Sequence, residues 1–109
     1  VPTIPPYCFT RFTSLTSVTL PEGLQIFGSY SFYCCVSLTT VTIPDGVFYI
    51  GECAFGNCSS LSSVSIPDSV LKIYRGAFDN CALTSVTLSR DCKVHESAFD
   101  EGVTINYYD

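Results

Sequence analysis

Apolar positions recur along this chain with a period that neither a lone helix nor a lone strand produces. Phe9, Phe32, Phe55 and Phe78 lie 23 residues apart, and Phe99 follows after 21. Leu15, Leu38 and Leu61 stand six residues beyond the first three, and Leu83 five beyond Phe78. Each Leu is followed by Val18, Val41, Val64 or Val86, then by Leu20, Ile43, Ile66 or Leu88. Pro21, Pro44 and Pro67 come next, then Leu24, Val47 and Val70. Ile4, Phe27, Ile50, Ile73 and Val94 each precede a Phe by five residues. Such self-similarity predicts a solenoid: each repeat forms one coil, and stacking buries the inward residues in continuous ladders that a single coil cannot bury alone. The repeats run approximately over 15–37, 38–60, 61–82 and 83–102, with partial coils at 1–14 and 103–109.

Within each coil the pattern predicts local structure. Ser17–Leu20, Thr40–Ile43, Ser63–Ile66 and Ser85–Leu88 alternate polar with apolar, β-branched residues, the signature of strands with one buried face. Successive copies are expected to pair as the dominant parallel sheet, at about 4.8 Å spacing. Pro-Glu-Gly at 21–23, Pro-Asp-Gly at 44–46 and Pro-Asp-Ser at 67–69 predict turns. Gln25–Phe27, Phe48–Ile50 and Leu71–Ile73 predict a shorter second strand on another side of the coil. The Ala-Phe-x-x-Cys stretches have room for a short helical or 3₁₀ turn, and no long helix is expected.

The unit resembles the BspA-like class of leucine-rich repeat proteins. The residues that carry the resemblance are Leu38-Thr39-Thr40-Val41-Thr42-Ile43-Pro44-Asp45-Gly46-Val47, Ile50-Gly51, Ala54-Phe55 and Cys58. The next copy repeats them at Leu61, Val64, Ile66-Pro67-Asp68-Ser69-Val70, Ile73, Gly76-Ala77-Phe78 and Cys81. The resemblance covers about Ile4 to Ile105. It implies a mainly β, right-handed leucine-rich-repeat solenoid, a surface or secreted location, a role in adhesion or protein binding, and no enzymatic activity. The last copy departs from the pattern: Ser89 replaces Pro, Cys92 falls near the Val position, and Gly102 replaces the repeat Cys. Val103-Thr104-Ile105 is expected to supply one last strand. Because the first copy starts inside a coil, the segment is expected to be the C-terminal part of a longer array.

Composition narrows the function classes. The 109 residues are 47% apolar and 14% charged, too apolar for a disordered chain. Net charge is −5, and the five Lys and Arg form no cluster along the sequence, which argues against nucleic acid as a partner. No apolar run approaches the roughly 20 residues that span a bilayer, so this segment predicts no membrane insertion. Seven cysteines occur. Cys35, Cys58 and Cys81 share one repeat position, which Phe12 takes in the first copy, so that column is read as a buried ladder of thiols. Disulfides between coils are the alternative; zinc is disfavoured, since no Cys-x-x-Cys pair exists. The lone His95 reads as a surface residue. No nucleophile–base constellation and no phosphate loop appear, so no catalytic residue and no cofactor is expected. Glu22, Asp45 and Asp68 offer one carboxylate per coil, which suits turns better than calcium. Asn57-Cys58-Ser59 is formally a glycosylation sequon. Tyr30, Tyr33, Phe48, Tyr49 and Tyr74 fall at variable positions near the second strand, and Tyr107 and Tyr108 at the end of the chain are candidates to cover the last coil.

The candidate binding face is the outward side of the predicted main strands. Ser17 and Thr19, Thr40 and Thr42, Ser63 and Ser65, and Ser85 and Thr87 flank the buried Val of each copy and would stack into two nearly uncharged hydroxyl columns. Two function classes follow. The first is a non-enzymatic module that binds a protein ligand, host or self, through this face. The second is a structural block of a fibrous, coat or cytoskeletal assembly through end-to-end or lateral association, with an intracellular location as the alternative, to which seven unpaired thiols would be suited.

Overall fold

A computed structural model describes residues Val1–Asp109. Nine short strands follow one another: β1 (Thr3–Ile4), β2 (Ile26–Phe27), β3 (Thr40–Thr42), β4 (Tyr49–Ile50), β5 (Ser63–Ser65), β6 (Lys72–Ile73), β7 (Ser85–Leu88), β8 (Lys93–Val94) and β9 (Thr104–Tyr107). All pair in parallel. They form a five-stranded sheet in the order β1-β2-β4-β6-β8 and two two-stranded sheets, β3-β5 and β7-β9. One strand of the five-stranded sheet per coil gives about five turns of a solenoid. There is no helix, and so none long and apolar enough to cross a membrane.

The inner ladders are those of the sequence pattern. Phe27, Ile50 and Ile73 stack in register, as do Leu38 and Leu61. The Phe rings form one column through the molecule. Centroids from Phe9 to Phe32, Phe55, Phe78 and Phe99 are 5.1, 5.3, 5.3 and 5.2 Å apart, with planes tilted by 20° or less. Parallel rings at this spacing add attraction to their burial.

Two expectations about local structure need correction. The continuous sheet is the supposed minor one, not the hydroxyl-bearing one. Ser17–Leu20 forms no strand; one backbone bond, Thr39 N to Thr16 O at 3.4 Å, ties the start of that stretch to the next coil. Between β5 and β7 the sheet breaks because the third coil is shorter. Val64 follows Phe55 by nine residues, Val86 follows Phe78 by eight, and Ile105 follows Phe99 by six. The missing residue draws β7 out of line with β5, and the coil-to-coil bond shifts to Ala82 N and Leu61 O. The 103–105 strand does form, as β9, and pairs with β7 over Ser85↔Thr104 to Leu88↔Tyr107.

The Ala-Phe-x-x-Cys stretches are runs of β-turns instead of helical turns. In the first coil, Cys8, Thr10 and Phe12 donate backwards to Pro5, Tyr7 and Phe9, whereas Tyr7, Phe9 and Arg11 donate to Ser29, Ser31 and Tyr33 of the next coil. A helix would turn every N–H along its own axis and leave none for the stack. The alternation is purchased with left-handed backbone at two places per coil: Tyr7 and Arg11, Tyr30 and Cys34, Cys53 and Asn57, Gly76 and Asn80 all have φ between 52° and 68°. That region is strained for side chains other than Gly and, to a lesser degree, Asn.

The Cys column lies behind these turns. The thiols of Cys35, Cys58 and Cys81 donate to the carbonyls of Phe9, Phe32 and Phe55 of the preceding coil at 3.3, 3.2 and 3.2 Å. All seven cysteines are free. Phe12, at the equivalent place in the first coil, is 50% exposed and packs edge-on against Phe9. In the last coil the turn run is truncated. Asp100 supplies a carboxylate where another coil would supply a carbonyl, and accepts the backbone N–H of Asn80 at 2.9 Å and of Cys81 at 3.3 Å.

Candidate binding face

The hydroxyl residues do lie together, on one side of the coil, but in separate groups. Thr40 and Thr42 on β3 are in register with Ser63 and Ser65 on β5, and all four are exposed, because the strand period of two turns Val41 and Val64 inward. Ser85 and Thr87 on β7 pair with Thr104 and Asn106 on β9. Ser17 and Thr19 are exposed on the unpaired first copy. The pattern missed Thr104 and Asn106, because the last coil is shortened and the 23-residue frame no longer points to them.

The break between β5 and β7 opens a cleft of about 340 Å³ in this face, lined by Ser63, Ser65, Ser85 and Thr87. Tyr108 bridges it. Its hydroxyl donates to the carbonyl of Ile66, 42 residues earlier, at 2.7 Å. Tyr108 thus turns back over the hydroxyl face instead of covering the open last coil, while Tyr107 meets Arg90, whose guanidinium lies 5.3 Å from the ring centre. A second cleft opens between the first two coils, where Val18, Thr19 and Thr42 face each other above the acidic turn residues Glu22 and Asp45.

Other singled-out residues fall elsewhere. Asn57 is half-buried in a side-chain ladder: its amide nitrogen donates to the Tyr33 hydroxyl at 2.9 Å, and its oxygen accepts from Asn80 at 2.8 Å. Tyr7 stacks on Tyr30 at 5.1 Å, and Tyr49 meets Tyr74 edge-on at 6.1 Å. Burial pushes the Cys81 thiol up to about 12 and also raises Cys92, while hydrogen bonding with the Cys35 thiol and burial hold Cys58 far above the ordinary thiol range. These thiols are neutral and inward, which suits packing and not nucleophilic chemistry.

A model of the BspA-type leucine-rich repeat region, in six copies, matches residues 1–106. The chain belongs to this family. No curated relative matches it. Among solved structures it is similar to a leucine-rich repeat protein from Bacteroides ovatus, at 28% identity and a TM-score of 0.87, over 98% of this chain and 28% of that one. A leucine-rich cell surface protein from Faecalibacterium prausnitzii matches at 32% identity and a TM-score of 0.88, over 98% of this chain and 29% of that one. A leucine-rich repeat protein from Bacteroides capillosus matches at 28% identity and a TM-score of 0.71, over 87% of this chain and 74% of that one. The BspA-type chain described here therefore spans less than a third of the length of the first two.

Proposed function

We propose that this BspA-type repeat region is a non-enzymatic binding module of a surface or secreted protein, acting in adhesion or protein–protein contact through its hydroxyl face. The observation that carries the reading is the uncharged outward array of Thr40, Thr42, Ser63, Ser65, Ser85 and Thr87, opened by the cleft that Tyr108 bridges. Short hydroxyl side chains lose little rotamer entropy when covered and lack the desolvation cost of charges. The tyrosine supplies a large, amphipathic contact at the centre, as interface anchors do. The similarity to a bacterial cell surface protein supports the location. The test measures binding to a panel of immobilised extracellular-matrix proteins. The variant T42Q/S65Q, which enlarges two exposed side chains without adding charge, should abolish capture of whichever protein binds. Unchanged capture would remove the hydroxyl face from the account.

A further inference from the structure

The opposite face, on the five-stranded sheet, carries different chemistry. Its outward column runs Thr3, Ile26, Tyr49, Lys72, Lys93, each in register with the next. Of the five Lys and Arg residues in this acidic chain, Lys72, Arg75 and Lys93 line one pocket of about 390 Å³, together with the only histidine, His95. The sequence shows no basic cluster because Lys93 and His95 lie one coil beyond Lys72 and Arg75; the fold brings them together. Arg75 is neutralised by Glu52 at 3.1 Å, the single ion pair of the protein. Lys72 and Lys93 are direct cross-strand partners with no carboxylate between them. Like charges directly opposite on a sheet destabilise it. A conflict of this kind, kept where cations are scarce, marks a site in need of an anion.

The surroundings complete a site. Nδ1 of His95 accepts the backbone N–H of Ser97 at 3.1 Å, so in the neutral ring the proton sits on Nε2. Lys72 Nζ lies 4.6 Å from the centre of the Tyr74 ring. The pocket runs on, past Glu52 and Tyr74, into a groove of about 460 Å³ walled by Tyr49 and Tyr74. Gly28 and Gly51 line the groove and pack tightly on the preceding coil: a Cβ on either would fall 2.6 Å from the carbonyl oxygen of Ile4 or Phe27. Part of the lining backbone is tied to the neighbouring coils. Gly28, Gly51, Tyr74 and His95 donate to the preceding coil, and their carbonyls accept from Ser31, Ala54, Ala77 and Ala98. The N–H groups of Ser29, Glu52 and Arg75, which also line the trough, have no such partner. Its side chains are two lysine ammonium groups, the His95 ring, tyrosine rings, hydroxyls, and the Glu52 carboxylate held by Arg75.

We propose that this trough binds an acidic polysaccharide. A carboxylate or sulfate sits between Lys72 and Lys93 within reach of His95, and the adjoining sugar rings lie against Tyr74 and Tyr49. The site is separate from the hydroxyl face and does not depend on it. Titration calorimetry at low ionic strength tests the assignment, with oligogalacturonate and heparin-derived oligosaccharides as probes. Dextran, poly-glutamate and sodium sulfate alone are the comparisons. An acidic oligosaccharide should bind, weaken with added salt, and weaken roughly tenfold or more with K72Q/K93Q, as the loss of two close charge contacts requires. The melting temperature of K72Q/K93Q should not fall, since the substitution removes a repulsive pair, and T42Q/S65Q should bind the oligosaccharide as the parent does. Equal binding of dextran, poly-glutamate as tight as the oligosaccharide, sulfate alone with the full affinity, or unaltered binding by K72Q/K93Q would each overturn the proposal.

Discussion

Phe55 tests how the solenoid is held together. Its ring is fully buried and stacks on two others, Phe32 and Phe78, each with a centroid 5.3 Å away. Truncation to Ala removes the transfer free energy of the ring and leaves a cavity between two coils, together about 3–5 kcal/mol. A chain of this size has a total stability on the order of 5–15 kcal/mol, so the variant should lose a large part of it. Phe99 is the internal control. It stacks on Phe78 alone, at 5.2 Å, and is half-buried. In a stack whose stability is a sum of coil terms and nearest-neighbour interfaces, Phe55 enters two interfaces and Phe99 one. F55A should therefore cost about twice as much as F99A or more.

The assay is urea unfolding followed by circular dichroism and by tyrosine fluorescence, since the chain lacks Trp. Coincident transitions license the comparison of free energies. If F55A cost less than about 1.5 kcal/mol, below the range for deleting a buried aromatic ring, or no more than F99A, the Phe column would not be the axis of the core and the nearest-neighbour argument would fail.

Three further outcomes follow from the same geometry. Ser31 is fully buried with no hydrogen-bond partner for its hydroxyl, at the position that Ala54, Ala77 and Ala98 fill in later coils; S31A should raise stability by about 1 kcal/mol in the same assay. Asp100 caps two backbone N–H groups of the preceding coil, so D100A should cost roughly 1–3 kcal/mol; burial and the hydrogen bond to Asp100 raise the Asp79 carboxyl, and D100N should lower it when followed by carboxyl NMR. The raised thiols predict a falling stability above pH 9. Folded Cys81 keeps its proton up to about 12, while the unfolded chain loses it near 8.5, so rising pH favours unfolding by up to about 1.4 kcal/mol per unit across that window; urea midpoints at pH 8 and pH 10 that agree would contradict the burial of this ladder.

How much of this was legible in the sequence depends on whether a feature obeys the 23-residue frame. The Phe, Leu and Cys columns do, and their stacking follows from the period alone. The hydroxyl array was legible as residues but not as a surface. Its division depends on one residue lost between Phe78 and Val86, a change too small to disturb the pattern and large enough to break a hydrogen-bonded register. The turn runs were misread because a short stretch of Ala-Phe between polar residues fits a helical turn. Only the need of each coil to give half its N–H groups to the next decides against it. Cys34 and Tyr30, neither a residue that favours positive φ, show that this need outweighs local preference.

The cationic trough escaped the sequence for the opposite reason. Lys72 and Lys93 occupy the same place in successive coils, one residue before the inward Ile73 and Val94, yet Thr3, Ile26 and Tyr49 fill that column before them. A column whose chemistry changes along the stack leaves no periodic signal. The inward positions repeat because every coil presents the same surface to its neighbour, whereas the outward ones answer only to solvent and to whatever binds. In a solenoid the strictest pattern therefore reports the core, and the departures from it report function. The Lys72–Lys93 pair is a departure that sets two like charges side by side, and the groups around it, a tyrosine ring and an imidazole, are ones that an anionic ligand would use.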